Sequence, residues 1–485
     1  MSVRGISLLI LFLAINACLG AAASPRQCAQ RAHSAKPRIF ILTDMSNEPD
    51  DQMSLVRFLT YSNEIHTAGI AATTSTWLNS SIDIGTIQQV ITAYGDVVDN
   101  LNANVPKTLA YPSADKLLSK VYTGHLVYGI AALDLDPSDA ARALIKAADA
   151  SKADDPLWVS VWGGATVLAE ALNHISKTRN HDQVHKFVSK LRVYSISDQD
   201  DAGPWIRLHY PQLSYIVSLH GFNEYAMATW SGISGETRRA FDKGGPDSSL
   251  VTNEWLDEHI RIGPLGAHYP VYTVIMEGDT PAFLTLVQNG LGDINHPEWG
   301  GWGGRYTLVD RSARSLVYSD ATDGAVGLNG DFFLGRFASI WRWREGYQYD
   351  FATRMQWTVN GDYSKNNHHP VAVVNETCGP EYVEFLFSNG TSFVLDASSS
   401  WDPDGDELTF EWFHYREPTI RLAAGNVSVV SPFLELEPLN QDGSVVRVTP
   451  TDTTEMHLLL ILRDKREMGL TTYRRIILKH HEEGS

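Results

Sequence analysis

The chain has 485 residues, 43% of them hydrophobic and 20% charged, a composition that supplies a globular core and excludes an extended disordered tail. Its net charge of −18 excludes nucleic acid and anionic membrane as main partners and fits soluble, neutral substrates. The length accommodates two or three domains, or one large α/β domain with an appended module.

Arg4 precedes an apolar run from Ile6 to Leu19 and the small residues Gly20 to Ala23. That succession is a secretory signal over residues 1–23, so the mature protein is expected to be secreted and extracellular. No second apolar stretch is long enough to span a bilayer. Cys18 falls in the signal, which leaves Cys28 and Cys378 either to pair, tethering the mature N-terminus to the start of the C-terminal module, or to stay as two free thiols. Sequons at Asn79, Asn375, Asn389 and Asn426 are acceptors for glycosylation in a eukaryotic host.

Ile39 to Leu42 is short, apolar and β-branched, the mark of a strand buried on both faces of a parallel sheet. It stops in a knot of acids: Asp44, Glu48, Asp50 and Asp51. Pro49 suits the first turn of a helix whose inner side carries Met53, Leu55, Val56 and Leu59. The acids therefore lie where a strand gives way to a helix, the place where open α/β sheets put ligands. Four carboxylates this close repel one another unless a cation or donors relieve them. An all-oxygen set suits Ca²⁺ or Mg²⁺ rather than Zn²⁺. A solvated helix N-terminus accounts for two of the acids, but not for those on the strand side of the turn.

Residues 69–74 give a second strand ending near Trp77, followed by a helix over about 82–98. In the loop-rich stretch to Asp136, Tyr122 to His125 either line a cleft or cap the sheet. A capped helix follows from Ser138 to Ala150, then a strand over 157–161, the turn Trp162-Gly163-Gly164 and a helix over 165–175. Residues 191–196 form a strand ending in Ser197-Asp198-Gln199-Asp200-Asp201, and 215–219 a further strand. Asn253 to Ile260 reads as a helix. Val271 to Ile275 is the last expected strand of this half, ending in Met276-Glu277-Gly278-Asp279. Polar clusters thus recur at the C-terminal ends of the strands. In Asn295 to Tyr306 the aromatics Trp299, Trp302 and Tyr306 either offer flat faces to a sugar ring or pack as a lid on the core. The segment has neither a Lys-Ser/Thr sequel nor dinucleotide spacing, so it is no phosphate loop.

From about residue 370 short alternating segments replace the strand-helix rhythm: 382–387, 392–395, 408–413, 445–449, 457–463 and 473–478. Leu408, Phe410 and Trp412 share one face and Thr409 and Glu411 the other, a half-buried strand of a small β-sandwich. Asp402, Asp404 and Asp406 lack the glycine and terminal Glu of an EF-hand and read as a tight turn.

The turns Thr43 to Asp51 and Glu277 to Pro281, with Val161 to Thr166 between them, resemble the nucleoside hydrolase fold. Thr43 to Gln52, Thr73 to Trp77 and Asn295 to Tyr306 are similar to secreted nucleoside-hydrolase-like proteins described as cellulose-binding, and Leu395 to Asp406 is similar to their Ig-like C-terminal module. The resemblance implies a nucleoside-hydrolase-like α/β domain over 37–365, a mostly parallel sheet flanked by helices, and an Ig-like β-sandwich over 370–485. It also implies Ca²⁺ held by Asp44, Asp51, Asp279 and the Trp162 carbonyl. The second acid of that family's opening motif is Ser46 here, Glu48 replaces a glycine, and Gly278 precedes the late acid where the family has His.

The expected activity is metal-dependent hydrolysis of an N- or O-glycosidic bond in a nucleoside or carbohydrate, with Asp50 as general base and Glu277 as acid. Asn47, Glu48, Trp77, Gln199, Asp200, Trp299 and Trp302 are the expected sugar contacts. The alternative is a non-catalytic protein that binds cellulose or another carbohydrate in the same pocket.

Overall fold

The computed structural model describes Cys28 and residues 36–388, 390–419, 421–422, 429–430 and 433–481. The expected signal segment, Cys18, Asn389 and Asn426 lie outside the described residues. The strands β1 (Arg38–Thr43), β2 (His66–Ala72), β3 (Val121–Thr123), β4 (Leu157–Val161), β5 (Leu191–Ser197), β6 (Ser214–Ser218), β7 (Tyr306–Leu308) and β8 (Val317–Asp320) form one eight-stranded sheet in the order β3-β2-β1-β4-β5-β6-β8-β7. All neighbours are parallel except β7 and β8. Because β1 has β2 on one side and β4 on the other, the connections leave in opposite directions between β1 and β4. That is a topological switch point, which opens a crevice at the strands' C-terminal ends.

Alternation along β1 divides the core. Ile39 and Ile41 face a cluster that includes Met53, Leu55, Val56 and Leu59 of helix α1 (Pro49–Thr60), while Phe40 and Leu42 face Leu144, Leu168 and Leu172 on the other side. All four β1 side chains are fully buried, as expected of a strand with helices on both faces. The expected helices appear at Ile84–Gly95, Asp139–Asp149, Thr166–Thr178 and Asn253–His259. The Ser138 side chain caps its helix by accepting from the Ala141 amide. Tyr122 and Thr123 belong to the edge strand β3.

Two expectations are corrected here. Val271 to Ile275 is not a strand: it follows Pro270 as an irregular segment, with Val271 61% exposed. The apolar run suggested a strand, yet nothing pairs with it, and β8 takes the place beside β6. The helix Arg344–Val359 has no counterpart among the sequence-based elements.

After Val373 the chain is β-structured. A four-stranded sheet (383–387, 471–480, 456–464, 408–415) faces a three-stranded one (393–396, 445–450, 434–438). Leu458, Leu460 and Ile476 of the first pack with Leu395, Leu434 and Val446 of the second. The Asp402 side chain accepts from the Asp404 and Asp406 amides at 2.8 and 3.2 Å, the tight turn that was expected. Cys28 and Cys378 form a disulfide, which decides between the two thiol readings.

Trp299 and Trp302 are corrected as sugar contacts. They are 8% and 1% exposed and form the seam between the two parts of the chain. Trp302 donates from its indole to the Tyr473 hydroxyl at 3.3 Å, and Arg475 donates to the Leu291 and Trp299 carbonyls at 2.7 and 3.1 Å. Among the described residues no helix is long and apolar enough to cross a membrane.

Candidate active site

The crevice at the switch point holds a cavity of about 140 Å³. Its acidic lining comes from the β1–α1 turn (Asp44, Glu48, Asp50, Asp51) and from Asp279, with Asn47, Trp77, Trp162 and Gln199 around it. The turn takes this form because Ser46 adopts a left-handed φ of 74°. Ser46 thereby points outward, donating to Asp83 at 2.6 Å, and Pro49 starts α1 directly behind. Gly163 closes the opposite side: a Cβ there would lie 2.7 Å from Asp44 Oδ1.

Each of Asp50, Asp51 and Asp279 presents one carboxylate oxygen within 4.8 Å of the others. Asp51 is steadied by the Thr43 hydroxyl, and Asp44 by that of Ser75. Asp279 is 1% exposed, and its Oδ2 has no hydrogen-bond partner. A buried carboxylate oxygen left bare costs free energy unless something else satisfies it. Burial first, and then mutual repulsion, pushes Asp44 up to about 6 and Asp50 up to about 7, with Asp51 and Asp279 raised well above the ordinary carboxylate range. A hard cation would relieve both the bare oxygen and the repulsion, and the all-oxygen donor set fits Ca²⁺.

The expected ligands are thus partly rearranged. Asp51 and Asp279 come together, but the third member is Asp50, which sequence reasoning had set aside as a free base. Asp44 stands behind the group with one oxygen taken by Ser75. Trp162 lines the cavity, and its carbonyl accepts from Gln199. Gln199 is tied in turn to the second strand's end, its own carbonyl accepting from the Thr76 amide at 2.6 Å.

Two further expected site residues are placed elsewhere. Glu277 does not line the cavity: it is fully buried, pairs with Arg57 at 2.7 Å, accepts from the Tyr269 hydroxyl at 2.6 Å and has a φ of 58°. Its carboxylate is taken by Arg57 and Tyr269 and is not part of the cavity lining, so it is not positioned as the acid. The Asp200 carboxylate is consumed by Thr166 and the Ala202 amide, at 2.8 Å from the Thr166 hydroxyl, and holds the β4 and β5 turns together. Sequence reasoning missed Tyr225, Trp230, Arg238 and Arg239, which also line the cavity. They come from helical pieces of only four to six residues, Phe222–Met227, Thr229–Ile233 and Glu236–Arg239, too short to show a hydrophobic period. Trp77, 48% exposed, rests against Phe222 and Tyr225 with ring centroids 5.6 and 5.7 Å away.

The family model for the nucleoside hydrolase-like domain of cellulose-binding Sde182 matches residues 38–306, and that for the C-terminal domain of cellulose-binding protein Sde0182 matches residues 392–480. A solved structure of a nucleoside hydrolase-related hypothetical protein from Saccharophagus degradans, described as associated with carbohydrate metabolism, is 31% identical. The match covers 92% of this chain and 100% of that one, with a TM-score of 0.72. The PKD domain of the KIAA 1837 protein is 20% identical over 22% of this chain and 86% of its own, and its TM-score of 0.15 supports no argument. No curated protein matches the chain significantly.

Proposed function

Since the chain belongs to the cellulose-binding Sde182 family with a nucleoside hydrolase-like domain, we propose that it takes a carbohydrate or nucleoside sugar into the switch-point cavity and hydrolyses its N- or O-glycosidic bond in a Ca²⁺-dependent manner. The observation that carries this reading is the group formed by Asp50, Asp51 and Asp279, with the bare Oδ2 of Asp279. These three carboxylates and the Trp162 carbonyl would hold the ion. Bound there, Ca²⁺ supplies coordination to sugar hydroxyls and a water.

The chain's own residues do the rest. Asp50, half-buried at the cavity wall, accepts a proton from the attacking water through the oxygen it does not give to the ion. Trp77 offers its exposed ring to a sugar face, Asn47 offers an amide, and Gln199 holds the Trp162 carbonyl in place. With Glu277 engaged by Arg57, the carboxyls that line the cavity outside the group of three are Asp44, one oxygen of which Ser75 takes, and the exposed Glu48.

The position of Ser46 favours a second reading: it replaces an acid of the hydrolase motif and points outward to Asp83. On that reading the cavity binds carbohydrate and does no chemistry. Reducing-sugar and nucleobase release, measured on one panel with Ca²⁺ and with chelator, separates the two. Chelator-sensitive turnover supports hydrolysis, and firm Ca²⁺-dependent binding without turnover supports the binder.

A further inference from the structure

Arg238 and Arg239 line the same cavity as Asp50 and Asp279 and have no part in the chemistry above. They end the short helix Glu236–Arg239 and are exposed. The buried arginines of this domain are committed to acids: Arg57 to Glu277, Arg305 to Asp323, Arg344 to Glu236 and Arg354 to Glu64. Among the described residues, neither Arg238 nor Arg239 has a carboxylate partner. The acids nearest in sequence are already engaged, Glu236 by Arg344 and Asp242 by the Trp341 indole.

Two guanidinium groups thus face a cavity whose other charges are all negative, yet they do not neutralise those charges in pairs. A neutral sugar gives them little to do, because its hydroxyls are served by carboxylates, amides and the ion. Guanidinium donates a planar fork that matches a carboxylate or sulfate in two parallel hydrogen bonds. The chain as a whole, at −18, repels a polyanion from a distance. Selection for an anionic group must therefore come from contacts inside a Debye length of about 8 Å.

We propose that the cavity takes a sugar bearing an anionic substituent, a uronate carboxylate or a sulfate ester, and that Arg238 and Arg239 bind that substituent while the ring hydroxyls face Asp50, Asp51 and Asp279. This rests on the carbohydrate reading given above. It narrows the ligand from neutral glucan to acidic glycan, and it gives the rim of the cavity a role distinct from that of its floor.

The test is calorimetric titration of the full chain in Ca²⁺ with three oligosaccharides of equal length: a neutral cello-oligosaccharide, an oligouronate and a sulfated oligosaccharide. Charge-assisted pairing predicts that at least one anionic probe binds the parent about ten- to a hundredfold more tightly than the neutral one. The doubly substituted Arg238→Gln, Arg239→Gln protein should lose that preference, while an unchanged melting temperature and an unchanged Ca²⁺ response report an intact fold and floor. Whichever anionic probe wins identifies the substituent. Equal affinity for all three probes, or a preference that survives the double substitution, overturns the proposal and leaves the carbohydrate reading standing. If no probe binds the parent, and Asp279→Asn responds to Ca²⁺ as the parent does, the carbohydrate reading itself fails and the proposal falls with it.

Discussion

Replacing Asp279 by Asn should stabilise the protein in chelator and destabilise it, relative to the parent, in Ca²⁺. Asp50, Asp51 and Asp279 present oxygens within 4.8 Å of one another. Two unit charges at that separation repel by roughly 3 kcal/mol at an effective dielectric of about 20. Without an ion, the substitution removes one such charge. At roughly 2–4 °C per kcal/mol for a domain of this kind, the variant should melt several degrees above the parent. With the ion at a hundred times its dissociation constant, the parent gains about 2.7 kcal/mol by mass action, and the variant gains little.

The pH dependence follows from the same cluster. Burial and neighbouring acids hold Asp44 near 6 and Asp50 near 7 in the fold, against 3.8 when unfolded. The folded state therefore binds more protons across that window, and stability in chelator falls as pH rises from about 4 to 7. The advantage of Asp279→Asn should be largest above pH 7 and vanish near pH 4. Calorimetric melts of both proteins, with and without Ca²⁺, at pH 4 and pH 8 measure all of this. A variant less stable than the parent in chelator at pH 8, with the parent's Ca²⁺ shift intact, would refute the reasoning.

Further tests address the supporting structure. Arg57→Met leaves Glu277 buried without its partner and should cost about 3–5 kcal/mol, and the double change with Glu277→Gln should recover part of it; denaturant unfolding of the single variant at the parent's midpoint would contradict the pairing. At the seam, burial lowers His457, 1% exposed, to about 4. The unfolded chain then takes up the proton first as pH drops from 6.5, so this histidine's contribution is complete above 6.5 and roughly 3 kcal/mol is lost by pH 4. His457→Gln should flatten the acid limb of the stability curve, and an unchanged limb would show that His457 does not titrate this way. Trp77→Ala should weaken sugar binding about tenfold, the loss of one aromatic contact of ~1.4 kcal/mol, with the Ca²⁺ response unchanged, as read by titration; unaltered affinity would remove the ring from the site.

What was legible in the sequence is local. The change from apolar strand to acid-rich turn marked β1, α1 and the floor of the cavity within fourteen residues, and the period-two pattern at Leu408, Phe410 and Trp412 marked a half-buried strand. What was illegible depends on distant partners. The helix Arg344–Val359 shows no clean apolar face, because its polar residues are buried against remote ones: Arg354 against Glu64, and Asp350 against the Tyr61 hydroxyl at 2.7 Å. Glu277 looked like a catalytic acid until Arg57, 220 positions earlier in the chain, claimed it. Trp299 and Trp302 looked like sugar platforms because a glycine-rich segment exposes its aromatics unless a second sheet covers them, and here one does. Asp50 and Asp51 are adjacent in sequence, and only the approach of Asp279 shows that both belong to one carboxylate group.

The most direct measurement of the central claim is hydrolysis and binding on one panel of nucleosides, aryl glycosides and oligosaccharides, for the parent and Asp50→Asn, each in Ca²⁺ and in chelator. The account predicts turnover of at least one substrate by the parent in Ca²⁺, its loss in chelator, and a fall of roughly a hundred- to ten-thousandfold in Asp50→Asn, with binding reduced far less. Turnover indifferent to both chelator and Asp50→Asn, or firm binding with no turnover on any substrate, would contradict it.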